Sequence, residues 1–261
     1  MKQQPSLKRS SAQARLLRRI LANPPAALGA LVIFLMLFAA LFAPFLAPYA
    51  YDQQNLDYIE KPPSAAHWFG TDGLGRDMFS RIIWGARSAV FVIVMVTLVN
   101  LTLGVTLGAL AGYLENWVDT IIMRLADILF AFPGLLFVFF IAATIKPSVM
   151  NWAKASGLGD LANSGYLDYA VVILALGAIG WAGLARLIRA QVLTIKQREF
   201  VLAARALGVP TWRVITQHIL PNAVTPIIVA LSMGLGDIAL SEGYLSFLGI
   251  GLHPPAPSWG N

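Results

Sequence analysis

The sequence predicts an all-α polytopic membrane protein, a bundle of five visible transmembrane helices with its N-terminus in the cytoplasm. Three observations carry that prediction. The chain is 57% hydrophobic and only 12% charged, with a mean hydropathy of +0.69, whereas soluble domains run to roughly 25% charged and 45 to 50% apolar residues. Five runs are long and apolar enough for a bilayer core, which takes about 20 residues per helix. Lys and Arg are also distributed unevenly between alternate loops, as membrane orientation requires. A soluble fold of 261 residues could not hide so much apolar surface from water. The chain has no cysteine, which excludes a disulfide framework, a thiolate metal site and a cysteine nucleophile. His67, His218 and His253 stand far apart, without an acidic or histidine neighbour at metal-binding helical spacing. No catalytic residue and no metal ligand is therefore assigned.

Residues 1–25 read as a cytoplasmic segment and residues 26–261 as the membrane domain. In the first, Arg15 to Leu21 alternates basic and apolar residues at helical spacing just before Asn23-Pro24-Pro25. Two readings stay open, an interfacial helix on the inner leaflet and a simple cluster of orienting charge. The spans run from Ala26 to Ala47, Ser88 to Gly112, Ile121 to Ile145, Tyr169 to Gln191 and Ala223 to Ile250. The first is longer than the apolar part of a signal peptide and reads as an uncleaved anchor. With the N-terminus inside, thirteen Lys and Arg face the cytoplasm and six face out. Attraction to anionic inner-leaflet lipid accounts for the net charge of +6 without a nucleic-acid partner.

Span two carries Gly104, Gly108 and Gly112 on one helix face, where another backbone can approach closely. Packing within the chain and a subunit interface are the two readings. Thr97, Asn100, Thr102 and Thr106 add polar groups that need partners inside a bundle. Span three contains Pro133, which removes a hydrogen bond and predicts a bend near mid-membrane. Arg124 and Asp127, three apart, predict a local ion pair. In span five Asp237 and Glu242 are acidic at membrane depth, where a charge costs on the order of 3 kcal/mol on insertion scales. They are candidates to line a pathway or to bind protons, or to be hydrogen-bonded within the bundle, as is Asn100 for the first and last of these roles.

Between spans four and five, the stretch from about 192 to 221 is amphipathic and helical up to Leu207. Gly208 and Pro210 stop it, and Thr211 restarts a short helix that ends at Pro221. Two short helices around a sharp turn make a cytosolic knob suited to a groove on another protein. No energy source is visible. There is no G-x-x-x-x-G-K-[S/T] phosphate loop, and Gly73-Leu-Gly75 is a weak phosphate signal.

The knob resembles the EAA loop of inner-membrane permeases of ATP-binding-cassette importers, whose pattern is E-A-A-x-x-x-G-x9-I-x-L-P. Ala203, Ala204, Gly208, Leu220 and Pro221 occupy matching positions, while Leu202 replaces the Glu and His218 the Ile. The segment Phe69-Gly70-Thr71-Asp72-Gly-Leu-Gly75-Arg76-Asp77-Met-Phe-Ser80-Arg81 and the stretch from Glu242 through Ser246 and Gly251 to Pro257-Ser258-Trp259-Gly260 are similar to the C-type permease of the dipeptide, oligopeptide and nickel branch. The resemblance implies six spans, a knob that docks on an ATPase, and alternating access driven by ATP and Mg²⁺ on the partners, with no cofactor on this chain. It implies as partners a second, B-type permease, two ATPase subunits and an extracytoplasmic solute-binding protein. Peptides are the first expected substrates, with nickel chelates, glutathione-like compounds and oligosaccharides beside them. Relatives continue past the Pro-Ser-Trp-Gly segment into a sixth span, so a fragment or truncated gene is expected here. The segment Lys146 to Asp168 is longer than the resemblance implies outside span three, and an inert surface insertion and a contact for the solute-binding protein are its two readings. The rival functional readings are a secondary carrier or channel using the intramembrane acids, for which an internal repeat is wanting, and a polytopic membrane enzyme.

Overall fold

The computed structural model describes residues 20–160 and 165–261. Most of the Arg15 to Leu21 segment lies outside them. Five of its helices are long and apolar enough to cross a membrane. Helix α1 spans Pro24–Leu46, α2 Met78–Leu114, α3 Asn116–Ala131, α4 Gly134–Ala155, α5 Tyr166–Ile195, α6 Glu199–Ala206, α7 Thr211–Arg213 and α8 Leu220–Phe247. A 3₁₀ turn, Leu56–Tyr58, lies in the α1–α2 connection.

Helices α2 and α5 form the centre and run parallel. Gly104 lies against Leu184, Gly108 against Ala185 and Ile188, and Gly112 against Val192. The glycine stripe thus packs within the chain. A methyl group at Gly108 would come within 2.5 Å of the Ala185 carbonyl oxygen, so glycine is required for this approach. Leu184, Ile188, Val192 and Ile195 continue into a core with Val201, Val214, Ile219, Ala223 and Ile227. A second core, toward the other end, joins Val92 and Val96 to Val138, Val172 and Leu245. Apolar side chains on the outside of the bundle stay exposed, among them Leu31, Phe34 and Phe45 on α1, as a lipid-facing surface requires.

Pro133 breaks the chain rather than bending one helix, so the single span from Ile121 to Ile145 is corrected to two helices. Phe132 is extended at φ −101°, ψ 146° and Pro133 at φ −59°, ψ 115°. Proline's ring disfavours the α region for the residue before it, and two successive extended residues end α3. Lys146 and Pro147 belong to α4, which continues to Ala155, so the first part of the expected outer insertion is helix. Other prolines, Pro44 and Pro226, sit inside helices without breaking them.

The second knob helix does not end at Pro221. Helix α7 passes into a π-helical stretch, Val214–Ile219, in which the Leu220 N–H donates to Ile215 O, and then directly into α8. Pro221 sits in the first turn of α8, inside a helix that runs on unbroken from Thr211. The wide turn before it is the usual form of a π-bulge within an α-helix.

Candidate functional site

The polar residues singled out by sequence fall into three places along the bundle. The first is a clasp at the end where α1 stops and α2 and α5 begin. Its backbone is set by glycine. Gly70 and Gly75 have φ of +74° and +69°, and a Cβ on Gly75 would lie 1.8 Å from Asn55 O. Asp72 accepts from the Leu74 and Arg76 amides at 2.9 Å and from Arg76 Nε at 2.7 Å. Burial pushes the Asp72 carboxyl up, but the Arg76 and Leu74 hydrogen bonds outweigh it and hold the group below its ordinary value. Thr71 Oγ1 accepts from the Lys61 amide and donates to Tyr58 O. Asp77 caps α2 through the Ser80 amide at 2.8 Å and meets His67 Nδ1 at 2.9 Å. Phe69 packs edge-on to Phe79. The motif residues Phe69 to Asp77 are therefore brought together as a local scaffold.

The 250–261 segment folds back onto the same end. Glu242 is 1% exposed, and its Oε1 accepts from Ser246 Oγ and Ser258 Oγ, each at 2.8 Å. Of the roles open to Glu242, hydrogen bonding within the bundle is the one this geometry favours. Trp259 Nε1 donates to Ile82 O at 3.0 Å, against Gly85. Lys146 Nζ donates to Gly251 O at 2.9 Å and Ile250 O at 3.2 Å. It also lies 2.9 Å from Asp168 Oδ1, an ion pair without hydrogen-bond alignment. Asp168 Oδ2 in turn accepts from the His253 amide at 3.1 Å.

The second place is a cleft of about 290 Å³ between α2, α5 and α8, lined by Thr97, Asn100, Gly180, Leu184, Met233 and Asp237 among others. Asn100 and Asp237, candidates from sequence, meet here; Glu242 does not. Gly180 makes room for Asn100, since a Cβ there would lie 2.3 Å from Asn100 Nδ2. Asn100 Oδ1 and Thr97 Oγ1 are buried with no hydrogen-bond partner among the described residues. Stranding such groups costs about 1 to 3 kcal/mol each, so the cleft carries unmet polar capacity at membrane depth.

The third place is the knob. Val209 N donates to Ala204 O and Gly208 N to Arg205 O, with Gly208 at φ +77°. This is a Schellman turn, for which a left-handed glycine is suited. Val201, Val214 and Ile219 anchor the knob in the core. On its outer side Leu202, Ala203, Gly208 and Pro210 are exposed, while Ala204 is buried. Leu207 is 84% and Trp212 59% exposed, and Pro221 is exposed beside partly buried Leu220. Leu202, Leu207 and Trp212 thus stand exposed among charged Glu199, Arg205 and Arg213. The knob's base is held by ion pairs that the sequence did not disclose. Arg189 grips Asp119 with two bonds of 2.5 Å, and Lys196 pairs with Glu115. Burial, reinforced by the positive charge of Arg205, holds the Lys196 ammonium below the usual lysine value. Asp127 pairs with Arg186 at 2.5 Å rather than with Arg124, which is the correction to the local pair expected there. Acidic residues after α2 and basic residues at the end of α5 were the available signal, both at one end of the bundle.

Residues 104–261 match the family described as binding-protein-dependent transport system inner membrane component. Residues 13–63 match the N-terminal transmembrane domain of oligopeptide transport permease C. The chain is 39% identical over 243 residues to the dipeptide transport system permease protein of Bacillus subtilis (strain 168), covering 93% of this chain and 70% of that one. It is 36% identical to the oligopeptide transport system permease protein of the same organism, over 93% of this chain and 73% of the relative. Likeness to the glutathione transport system permease protein of Pectobacterium atrosepticum is 38%, over 80% of this chain and 64% of the relative.

Proposed function

The chain belongs to the family of binding-protein-dependent transport system inner membrane components, and on that premise we propose that it is the permease subunit of an ATP-driven importer for peptides or related small solutes. The observation that carries this reading is the knob, a rigid Schellman-capped turn that is anchored in the bundle core and presents exposed Leu202, Leu207 and Trp212. In this reading the knob sits in a groove on an ATPase subunit, which is helix-in-groove recognition. The N-terminus and knob face the cytoplasm, and the clasp faces out toward a solute-binding protein.

A B-type permease completes a heterodimer, and two ATPases bind ATP and Mg²⁺. Closure of the ATPases pushes on the knob, and the ion pairs Arg189–Asp119 and Lys196–Glu115 carry that push into α3 and α5. The cleft at Asn100 and Asp237 then lies on the path exposed alternately to either side. Relatives named for dipeptide, oligopeptide and glutathione transport support small peptides as the substrate class.

The test is mild-detergent purification of the tagged chain from its native membrane with mass spectrometry of what accompanies it. Recovery of two phosphate-loop ATPases and a second permease is expected. Uptake by the chain alone, driven by an ion gradient, would overturn the reading.

A further inference from the structure

The clasp end carries a second cleft, of about 380 Å³, that neither the scaffold nor the α2–α5–α8 cleft uses. Tyr51, Trp84, Phe91, Tyr166 and Tyr169 wall it together with Arg87, and residues 255–257 form its rim. The walls are held against one another. Tyr51 meets Trp84 edge-on at 5.4 Å and Phe91 meets Tyr169 at 5.5 Å, while Ser88 Oγ and Tyr169 OH are hydrogen-bonded at 2.6 Å. The rim is fixed by the Ser258 bond to Glu242 just beyond it. This is a prepared cavity, at the small end of the range for ligand sites.

The one charged side chain among its lining residues is that of Arg87, beside the hydroxyls of Ser88 and the three tyrosines. Arg87 is exposed, with its guanidinium 5.7 Å from the centre of the Trp84 ring, and it has no carboxylate partner among the described residues. Trp84 Nε1 is buried with no hydrogen-bond partner among them. An aromatic box by itself would favour a cation, but here Arg87 already occupies that role and repels a second one. What remains is an aromatic wall carrying tyrosine hydroxyls, one positive charge without a carboxylate partner and one unmet N–H donor. That combination fits a carboxylate on an apolar body, one oxygen on the guanidinium in a charge-assisted bond and the other toward the indole N–H.

We propose that this cleft receives the C-terminal carboxylate of a short peptide whose last residue is apolar or aromatic. The substrate class rests on the importer reading above; the preference for a free carboxylate rests on the cleft alone. The volume takes one or two residues, so a longer peptide would extend outward past the 255–257 rim.

The experiment is isothermal titration of the full chain in lipid nanodiscs, without ATP or partners, using the dipeptide Leu-Phe and its C-terminal amide as probes. The acid is expected to bind roughly tenfold or more tighter than the amide, the size of one charge-assisted bond. Arg87→Gln should abolish that preference and Arg87→Lys retain part of it, which separates loss of charge from loss of fold. Equal binding of acid and amide, an undiminished preference in Arg87→Gln, or no saturable heat from either probe would each overturn the proposal. Because no transport is measured, failure of ATP-driven uptake would strike the importer reading and leave this result standing.

Discussion

Ser258 Oγ donates to Glu242 Oε1 at 2.8 Å, and through this bond the segment after α8 is tied back onto the helix it leaves. Glu242→Leu should strand the Ser258 hydroxyl at a cost of about 1 to 3 kcal/mol. The chain has no cysteine, so Ala256→Cys supplies a single labelling site on that segment. Labelling is expected to accelerate at least about fivefold in the Glu242→Leu background, and less in Glu242→Gln, which keeps an acceptor. Unchanged labelling would mean that Trp259 and Lys146 hold the segment without Glu242.

Gly108→Ala should destabilise the bundle by about 1 to 3 kcal/mol, the usual cost of overpacking. The new methyl group meets the backbone of Ala185 at 2.5 Å, which cannot rotate away as a side chain does. Gly29→Ala is the control, since nothing lies within 4 Å of its added Cβ. Thermal unfolding in detergent should separate the two variants clearly.

The Asp72 carboxyl lies below its ordinary value of 3.8 because the Arg76 and Leu74 hydrogen bonds outweigh the effect of burial. A depressed carboxyl stabilises the fold fully above its unfolded value, and that contribution fades as pH falls through the lower folded value. Amide exchange at Leu74 and Arg76, which donate to Asp72, should therefore be protected at neutral pH. Once intrinsic exchange is corrected for, protection should persist through the ordinary value of 3.8 and be lost only as pH falls through the lower folded value. Asp72→Asn should show weak protection at every pH.

Leu207→Asp changes a side chain that is 84% exposed, so folding stability should move by less than about 0.5 kcal/mol. Recovery of ATPase subunits in the purification above should nonetheless fall about tenfold, since burying a charge in an apolar groove costs more than 1.4 kcal/mol. Gly208→Ala acts differently. It strains a residue at φ +77° by about 1 kcal/mol and should lower both stability and recovery.

Hydropathy made the five crossings legible, because lipid leaves every spanning residue subject to one compositional demand. The glycine stripe at 104, 108 and 112 was legible as a close approach, though only the fold names Leu184, Ile188 and Val192 as its partner. Proline was not legible in the same way. Pro133 ends a helix while Pro44, Pro147 and Pro226 lie within helices, so the ring alone does not decide whether the chain continues. Charge was legible as a loop asymmetry but not as pairs. Asp127 is three residues from Arg124, yet its partner is Arg186, 59 positions away. Of the two acids in the last span, position along the helix marked both equally. Only the return of Ser258 sets Glu242 apart from Asp237, which stays in the cleft with Asn100.

The π-helical stretch Val214–Ile219 also fixes the angular phase of everything after it. One residue of an α-helix corresponds to about 100° of rotation, and a π-bulge amounts to a one-residue insertion in the α-helical ladder. Deleting a single residue there would let the ladder close as ordinary α-helix and, because the wide turn already absorbs the extra residue, would leave the faces of α8 in register with the knob. A deletion within α8 itself, where no bulge absorbs it, would turn the rest of the helix by that angle, so that Asp237 would leave the cleft and Glu242 would leave Ser258. The bulge therefore works as a slack turn between the knob and the last span, taking up a one-residue change in length before it reaches the cleft.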